Sequence, residues 1–161
     1  MEKLDQALRL KGKWTLGVDR NNTSKLRQIV AKYGWPTISL VGAEGSHAAW
    51  LIIQHSPSLR FQKECLIRMK DVAKIKEVNK HDVAYLTDRI LVREKKVQLF
   101  GTQFHVVRNK FEPYPIQRLA GLGQRRRAYG LESFKSYAKK FDNKDISRYK
   151  KLFQKPKNYR K

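Results

Sequence analysis

The chain has few of the residues that would cross-link it or hold it in a membrane. Cys65 is the only cysteine, so neither an intramolecular disulfide bond nor a cysteine-rich zinc cluster is expected. The longest apolar stretch, residues 48–53, is far shorter than the roughly 18 residues that a membrane-spanning helix needs. The first residues also lack the apolar centre of a secretory signal. We therefore expect a cytoplasmic protein without a membrane span.

Acidic residues are also scarce. Fourteen Asp and Glu oppose 36 Lys and Arg, which gives a net charge of +22 in 161 residues. Residues 1–40, 41–107 and 108–161 carry net charges of +5, +4 and +13, so most of the excess lies in the last third. Such a charge attracts polyanions and releases their counterions on contact. We expect nucleic acid, RNA or DNA, as the partner; a merely solvated surface, an anionic membrane and other acidic partners are the alternatives.

Periodicity predicts a mainly α (α+β) fold. An apolar content of 40% is sufficient for one core. Apolar residues recur at helical spacing through much of the chain, and the period changes to two around residues 97–107. We predict a single compact helical domain over residues 1–142, with one short strand or β-hairpin at 97–107, and a mobile basic tail over 143–161. The predicted helices include residues 23–33, 46–56, 59–74, 80–92, 116–129 and 131–141.

Local signals indicate where some of these helices begin. Asn21–Thr23 offers N-cap oxygens to the helix that ends before Pro36. Thr37–Val41 is a β-branched run that predicts an extended segment. Asn79, with Asp82 three residues later, resembles a capping arrangement.

Two histidines flank the most apolar predicted helix. His47 and His55 are eight residues apart, or roughly 12 Å along a helix, so we predict no shared metal ion, and no cofactor. His55 is the candidate for proton transfer or phosphate contact. Equally, it could bind free carbonyls in the last helical turn. Glu44, Ser46, His47 and Gln54 are predicted to support the site, although capping alone would explain Glu44 and Ser46.

Further polar residues lie on the next helix and on the predicted strand. Asp82, Tyr85, Asp88 and Arg89 share one helix. This set could orient a histidine or bind phosphate through the arginine, or it could be an internal salt-bridge network. Gln103 could recognise a base edge or a ligand amide, or could make a cross-strand hydrogen bond.

Basic residues alternate with aromatic residues near the end of the chain. Exposed rings could stack on bases while cations bind phosphate, or the rings could face the core. The predicted nucleic-acid-binding residues are Arg125, Arg126, Arg127, Lys139, Lys140, Lys150 and Lys151.

Four segments together resemble an uncharacterised bacterial family of unknown function. They are Tyr33-Gly-Trp-Pro, Val41-Gly-Ala-Glu-Gly-Ser-His-Ala-Ala-Trp-Leu-Ile-Ile-Gln-His, Ala84-Tyr-Leu-Thr-Asp-Arg-Ile-Leu-Val and Gly101-Thr-Gln-Phe. The resemblance runs from about Asn21 to Tyr137. It implies no particular reaction.

The first hypothesis is a basic nucleic-acid-binding domain with a metal-independent enzymatic site. In this hypothesis His55, Asp88, Arg89 and Gln103 act on RNA or DNA. The alternatives are a non-catalytic accessory protein that binds RNA or DNA, in which the polar residues are structural, and an enzyme that acts on a small molecule or a peptide. The sequence leaves open whether the protein is an enzyme.

Overall fold

The computed structural model describes residues 16–108 and 110–142. Over these residues the chain forms six helices and one two-stranded antiparallel sheet, which confirms the predicted mainly α (α+β) fold. The predicted tail, residues 143–161, lies outside the described residues. The helices are α1 (Leu16–Tyr33), α2 (Ile38–Gln54), α3 (Leu59–Ala73), α4 (Lys80–Arg93), α5 (Leu122–Ala128) and α6 (Phe134–Asp142), and the strands are β1 (Phe104–Val107) and β2 (Lys110–Pro113).

The main core lies among α1 to α4. Ile53 of α2, Cys65 and Met69 of α3 and Leu86 of α4 have no exposed surface. Burial raises the pKa of the Cys65 thiol to about 12, so this side chain is a small buried apolar group at neutral pH. The four apolar helix faces that the sequence predicts therefore meet in one cluster.

The prediction for the start of α1 was wrong. The chain is already helical from Leu16, and Asn22 and Thr23, which were predicted to precede the helix, lie buried inside it. A preference for the N-cap position is weak beside the tertiary packing of a helix face, which decides the boundary here.

The prediction of an extended segment over Thr37–Val41 was also wrong. Thr37 is the N-cap of α2, and Ile38 begins the helix. Glu77 accepts hydrogen bonds from both the backbone N–H and the hydroxyl of Ser39, and these bonds lower the pKa of its carboxyl. Gly42, with φ 75° and ψ 167°, breaks the helix after this first turn.

The predictions for α3 and α4 are confirmed to within a residue or two at each end. The hydroxyl of Ser58 accepts from the N–H of Phe61 at the start of α3, and the side chain of Asn79 accepts from the N–H of His81 at the start of α4. Because α3 and α4 have local caps and strong helical periodicity, nearby sequence was sufficient to predict them.

The region after α4 differs more from the prediction. The strand ladder joins β1 and β2, with Phe104 opposite Pro113 and Val107 opposite Lys110, and Gln98 forms an isolated parallel bridge with Ile116. The helices predicted over residues 116–129 and 131–141 are shorter than expected, since α5 begins only at Leu122 and α6 only at Phe134. Aromatic residues of α6 pack on the hairpin, through ring contacts among Phe104, Phe111, Phe134, Tyr137 and Phe141.

Candidate functional site

A cavity of about 720 Å³ opens where α2 and α4 begin and α3 ends. The broken start of α2 supplies Glu44, Ser46 and His47, and the capped start of α4 supplies Lys80 and Asp82. The turn after α5 closes one side with Tyr129 and Gly130. Three of the residues that the sequence placed in a supporting role, Glu44, Ser46 and His47, therefore lie in one cavity.

His47 binds a buried carboxylate at this cavity. Its Nδ1 is 3.0 Å from Oδ2 of Asp82, and the side chain of His47 is 44% exposed while that of Asp82 is 1% exposed. The other ring nitrogen of His47, Nε2, makes no hydrogen bond with the described residues. A carboxylate that accepts from Nδ1 fixes the ring's tautomer and orientation, so that Nε2 is the nitrogen available for proton transfer.

A second histidine approaches the same carboxylate. Nδ1 of His81 is 3.5 Å from Oδ1 of Asp82, at the outer limit of a hydrogen bond, and the His81 side chain is 38% exposed. Apart from this approach, Oδ1 is buried without a hydrogen-bond partner among the described residues. One buried carboxylate therefore lies between two partly exposed imidazoles, one from α2 and one from α4.

Aromatic rings fix both imidazoles. The ring of His47 lies 4.8 Å from that of Trp50, and the ring of His81 stacks on Tyr85 at 4.5 Å. Trp50 and Tyr85 meet edge to face at 6.0 Å, which joins the two stacks across the α2–α4 interface. The imidazoles are thus held by packing as well as by the carboxylate.

A buried hydroxyl also lines the cavity. Oγ of Ser46, the residue before His47, is buried and has no hydrogen-bond partner among the described residues. Buried polar atoms are normally satisfied, so an unsatisfied one in a cavity is consistent with a place where water or a ligand binds.

Lysines border the cavity and its neighbour. A second cavity of about 460 Å³ shares Ala73, Lys80 and Tyr129 with the first. Together the two cavities are lined by four lysines, Lys70, Lys74, Lys76 and Lys80, and by the carboxylates Glu44 and Asp82. Lys74 also pairs with Asp71 at 2.8 Å. We call the two joined cavities the lysine groove; its surplus of cations suits an anionic ligand.

Two of the predicted catalytic residues are remote from this groove along α2 and α4. His55 is the C-cap of α2, at the opposite end of the helix from His47. Arg89 lies on α4, and its Nη2 is 3.4 Å from Oε1 of Gln54. The structure brings Arg89 and Gln54 together, but neither they nor His55 line the lysine groove.

The predicted catalytic residue Asp88 is fully buried. It accepts from the N–H groups of Leu99, Phe100 and Thr102 and from the Thr102 hydroxyl, at 2.7 to 3.2 Å. Burial raises the pKa of this carboxyl, and these hydrogen bonds oppose the rise. The predicted residue Gln103 lies next to this loop and donates to Thr102 Oγ1 at 3.1 Å. This arrangement holds the chain that follows α4 against the helix.

The predicted basic residues of α5 divide into internal and exposed ones. Arg126 is 1% exposed and donates to the carbonyls of Phe100 and Glu132, and burial lowers the pKa of its guanidinium. Arg125 donates to the carbonyls of Leu99, Gln117 and Arg118. Both of these arginines donate hydrogen bonds to backbone carbonyls, whereas Arg127 is exposed.

The remaining predicted basic residues lie on α6 or beyond it. Lys139 and Lys140 are exposed on α6, where Lys140 pairs with Glu132 and lowers the pKa of that carboxyl. Lys150 and Lys151 lie outside the described residues.

The sequence reasoning missed His81 and the four lysines of the groove. A histidine next to Asp82 in the first turn of a capped helix was the available signal, and orienting a histidine was one of the alternatives given for the polar set on α4. The chain alone does not show which histidine, because His47 and Asp82 are 35 residues apart in sequence.

The described residues contain neither a cluster of metal ligands nor a membrane-spanning helix. No group of three or more His, Cys, Asp or Glu residues suitable for a metal ion occurs within residues 16–142 as described. In the same part of the chain, no helix combines the length and the apolar character that crossing a membrane requires.

Comparison with known proteins gives a family but no activity. No match was found among the curated proteins or among the solved structures. A family of unknown function, DUF6624, matches residues 9–148, which include every element of the described structure. The chain therefore belongs to the DUF6624 family of unknown function.

Proposed function

We propose that this protein binds RNA or DNA in the lysine groove and acts on a phosphodiester there, with His47 as the general base. One observation carries the proposal: a partly exposed imidazole binds a buried carboxylate at 3.0 Å inside a cavity bordered by lysines. We therefore assign to His47 the acid–base role that was predicted for His55. His47 itself was predicted only to support the site.

The contact between His47 and Asp82 suits general base catalysis. The carboxylate orients the ring through Nδ1 and stabilises the imidazolium that forms when Nε2 takes a proton. A positioned imidazole of this kind typically contributes about 10²–10⁴-fold to a rate. Since the side chain is partly exposed, a large substrate can reach it without entering a closed pocket.

The lysines suit the phosphates of a polymer. Four lysines run from the last turn of α3, through the connection, to the first residue of α4. Between them they line both cavities: Lys70, Lys74, Lys76 and Lys80. Cations spaced along a groove can contact successive phosphates, and the resulting affinity falls steeply with salt. Lys80 is common to both cavities, so it is the lysine we expect to contribute most.

We further infer that the four quoted segments are motifs of the DUF6624 family. Two of them supply parts of the proposed site, since one contains Ser46, His47 and Trp50 and another contains Tyr85. Relatives that share the function should have a histidine and a carboxylate at the positions of His47 and Asp82.

Binding is tested with two double variants of equal charge. Labelled single-stranded RNA and DNA of one sequence are titrated with protein across a salt series. Lys70→Gln/Lys80→Gln removes two cations from the groove, and we expect affinity to fall at least tenfold and the salt slope to decrease by about two. The control is Lys25→Gln/Lys32→Gln on α1, where both lysines are exposed and line neither cavity. Equal losses in both variants would contradict a specific groove.

Cleavage is tested with two histidine variants, in the presence of a chelator. We expect His47→Ala to lose at least about 100-fold in cleavage rate and to retain binding. His105→Ala is the control, because His105 stacks on Tyr114 at 4.2 Å, on the hairpin and outside both cavities. Salt-sensitive binding with intact strands in the wild type would instead support the non-catalytic accessory protein.

A further inference from the structure

His81 is not needed for a site that has a single general base. It nevertheless approaches Oδ1 of Asp82 at 3.5 Å, while His47 binds Oδ2 at 3.0 Å. Both imidazoles are more than a third exposed, and the carboxylate that they share is 1% exposed. The two rings are therefore neighbours, and both can be reached from solvent.

We propose that His47 and His81 form an acid–base pair that cleaves RNA by transesterification through the 2′-hydroxyl. This proposal rests on the proposed function and deepens it: His47 is the base, His81 is the acid, and the substrate class is RNA. His47 is assigned as the base because it has the shorter contact with Asp82 and lines the groove.

One carboxylate serves the two rings. Both imidazoles contact Asp82, so this group can stabilise one of them as an imidazolium beside a neutral second ring. An acid–base pair needs this state, with one ring neutral to accept a proton and the other charged to donate one. The other titratable or charged groups around the pair are Glu44, Lys76, Lys80, Tyr85 and Tyr129.

Packing keeps the two rings in place during such a reaction. His47 is fixed against Trp50 and His81 against Tyr85, and Trp50 contacts Tyr85. Neither imidazole has to be ordered when substrate binds, and such preorganisation lowers the barrier to a two-proton step.

The reaction balances without a further reactant. Nε2 of His47 takes the proton of the ribose 2′-hydroxyl, the 2′-oxygen forms a bond to phosphorus, and the bond from phosphorus to the 5′-oxygen breaks. The imidazolium of His81 gives its proton to the departing 5′-oxygen. The products are a 2′,3′-cyclic phosphate and a 5′-hydroxyl, and the pair has exchanged protonation states, which solvent restores. DNA has no 2′-hydroxyl and cannot follow this route.

The substrate test uses three oligonucleotides of one sequence: RNA, DNA, and RNA with every 2′-hydroxyl methylated. We expect all three to bind and only the first to be cleaved, with cyclic phosphate ends detected by mass spectrometry. Cleavage of DNA at a similar rate, or 5′-phosphate ends, would overturn the transesterification and leave the proposed function intact.

The role of His81 is tested with His81→Gln and His81→Ala, and His105→Ala is again the control. We expect a loss of at least about 100-fold in kcat on RNA and the disappearance of the high-pH limb of the bell-shaped pH profile. A phosphodiester of uridine with a p-nitrophenyl leaving group needs no acid, so on it His81→Ala should lose less than about tenfold. On the same substrate His47→Ala should still lose at least about 100-fold.

The failures of the two proposals can be told apart. If His81→Ala cleaves RNA at the wild-type rate while the His47 variant does not, the pair is wrong and the single base remains. If no oligonucleotide is cleaved, or if the lysine-groove variant binds as the wild type does, the proposed function fails and the pair fails with it. Circular dichroism and thermal unfolding of each variant identify any loss that comes from misfolding.

Discussion

Asp82 and Asp88 are two carboxylates on one helix, α4, that are buried almost equally, with 1% and 0% of their surface exposed. Asp88 is surrounded by backbone N–H groups and one hydroxyl, which stay in place and do not titrate near neutral pH. Asp82 contacts the ring nitrogens of two partly exposed imidazoles. Burial alone therefore does not distinguish the two carboxylates; their partners do, and they place only Asp82 in the site that we propose.

The surroundings of the two carboxylates differ in the same way. Thr102 Oγ1 and three backbone amides satisfy Asp88, and Arg126 donates to the carbonyl of Phe100 in the same loop. Around Asp82, by contrast, Ser46 Oγ has no partner among the described residues, and a cavity of about 720 Å³ adjoins the carboxylate. The carboxylate of Asp88 is enclosed by its hydrogen-bond donors, and that of Asp82 lies at a cavity open to a ligand.

The largest effect is expected from exchanging each carboxyl for its amide. Asp88→Asn places an N–H₂ group against backbone donors, so we expect the free energy of unfolding to fall by about 3–4 kcal/mol. Asp82→Asn should cost about 1 kcal/mol or less in stability, because the amide oxygen can still accept from His47, but it should reduce RNA cleavage at least tenfold. Urea denaturation and cleavage assays measure both quantities. A stable, inactive Asp88→Asn would reverse the assignment of the two carboxylates.

A smaller effect is expected from two glycines with the same positive φ angle. Gly101, in the loop that wraps Asp88, and Gly130, beside the lysine groove, both have φ +69°. A Cβ at Gly101 would lie 2.9 Å from the Phe134 ring and 3.0 Å from Ile116, whereas a Cβ at Gly130 would meet nothing within 4 Å.

We therefore expect Gly101→Ala to lower the free energy of unfolding by about 2–3 kcal/mol, from backbone strain and overpacking together. Gly130→Ala should lower it by about 1 kcal/mol, from backbone strain alone. Thermal or urea unfolding of the two variants gives the difference. Equal losses would mean that the Asp88 loop is less tightly packed than its contacts indicate.

The core thiol gives a third comparison, because its alkylation measures how far a change in either region opens the protein. The Cys65 thiol has a pKa of about 12, so at pH 8 its thiolate fraction is about a thousandfold below that of an ordinary cysteine. Alkylation of the native protein should be slow at both pH 7 and pH 8, since both lie far below this pKa. Asp82→Asn should raise the labelling rate by about fivefold or less, whereas Asp88→Asn should raise it by about tenfold for each 1.4 kcal/mol of stability lost. Fast labelling of the wild type would contradict a closed core.

Features that depend on neighbouring residues in the chain were predicted better than features that depend on distant ones. The helices α3 and α4 were predicted well, since Ser58 and Asn79 cap them and their apolar residues repeat at helical spacing. The start of α1 was misplaced because Asn22 and Thr23 are buried by packing. The first turn of α2 was missed because Glu77, far along the chain, binds Ser39.

The candidate site shows the same division. The segment around His47 and the polar set on α4 were recognised from residue types, including the possibility that this set orients a histidine. From the sequence, His55 rather than His47 was proposed for acid–base chemistry, and Asp88 was placed in the same site as His55. Nothing in the local sequence distinguishes Asp82 from Asp88, since both follow the helical spacing of α4 and differ only in what packs against them.

The sequence by itself determined the basic charge, the helical class of the fold and the capped helices, because each depends on composition or on residues within a few positions of one another. Only the tertiary structure decided that His47 and His81 share one carboxylate, that four lysines border the cavities beside it, and that Arg125 and Arg126 donate to backbone carbonyls. These features join residues that are distant in the chain. Their distances depend on how whole helices pack, which periodicity and local preference do not determine.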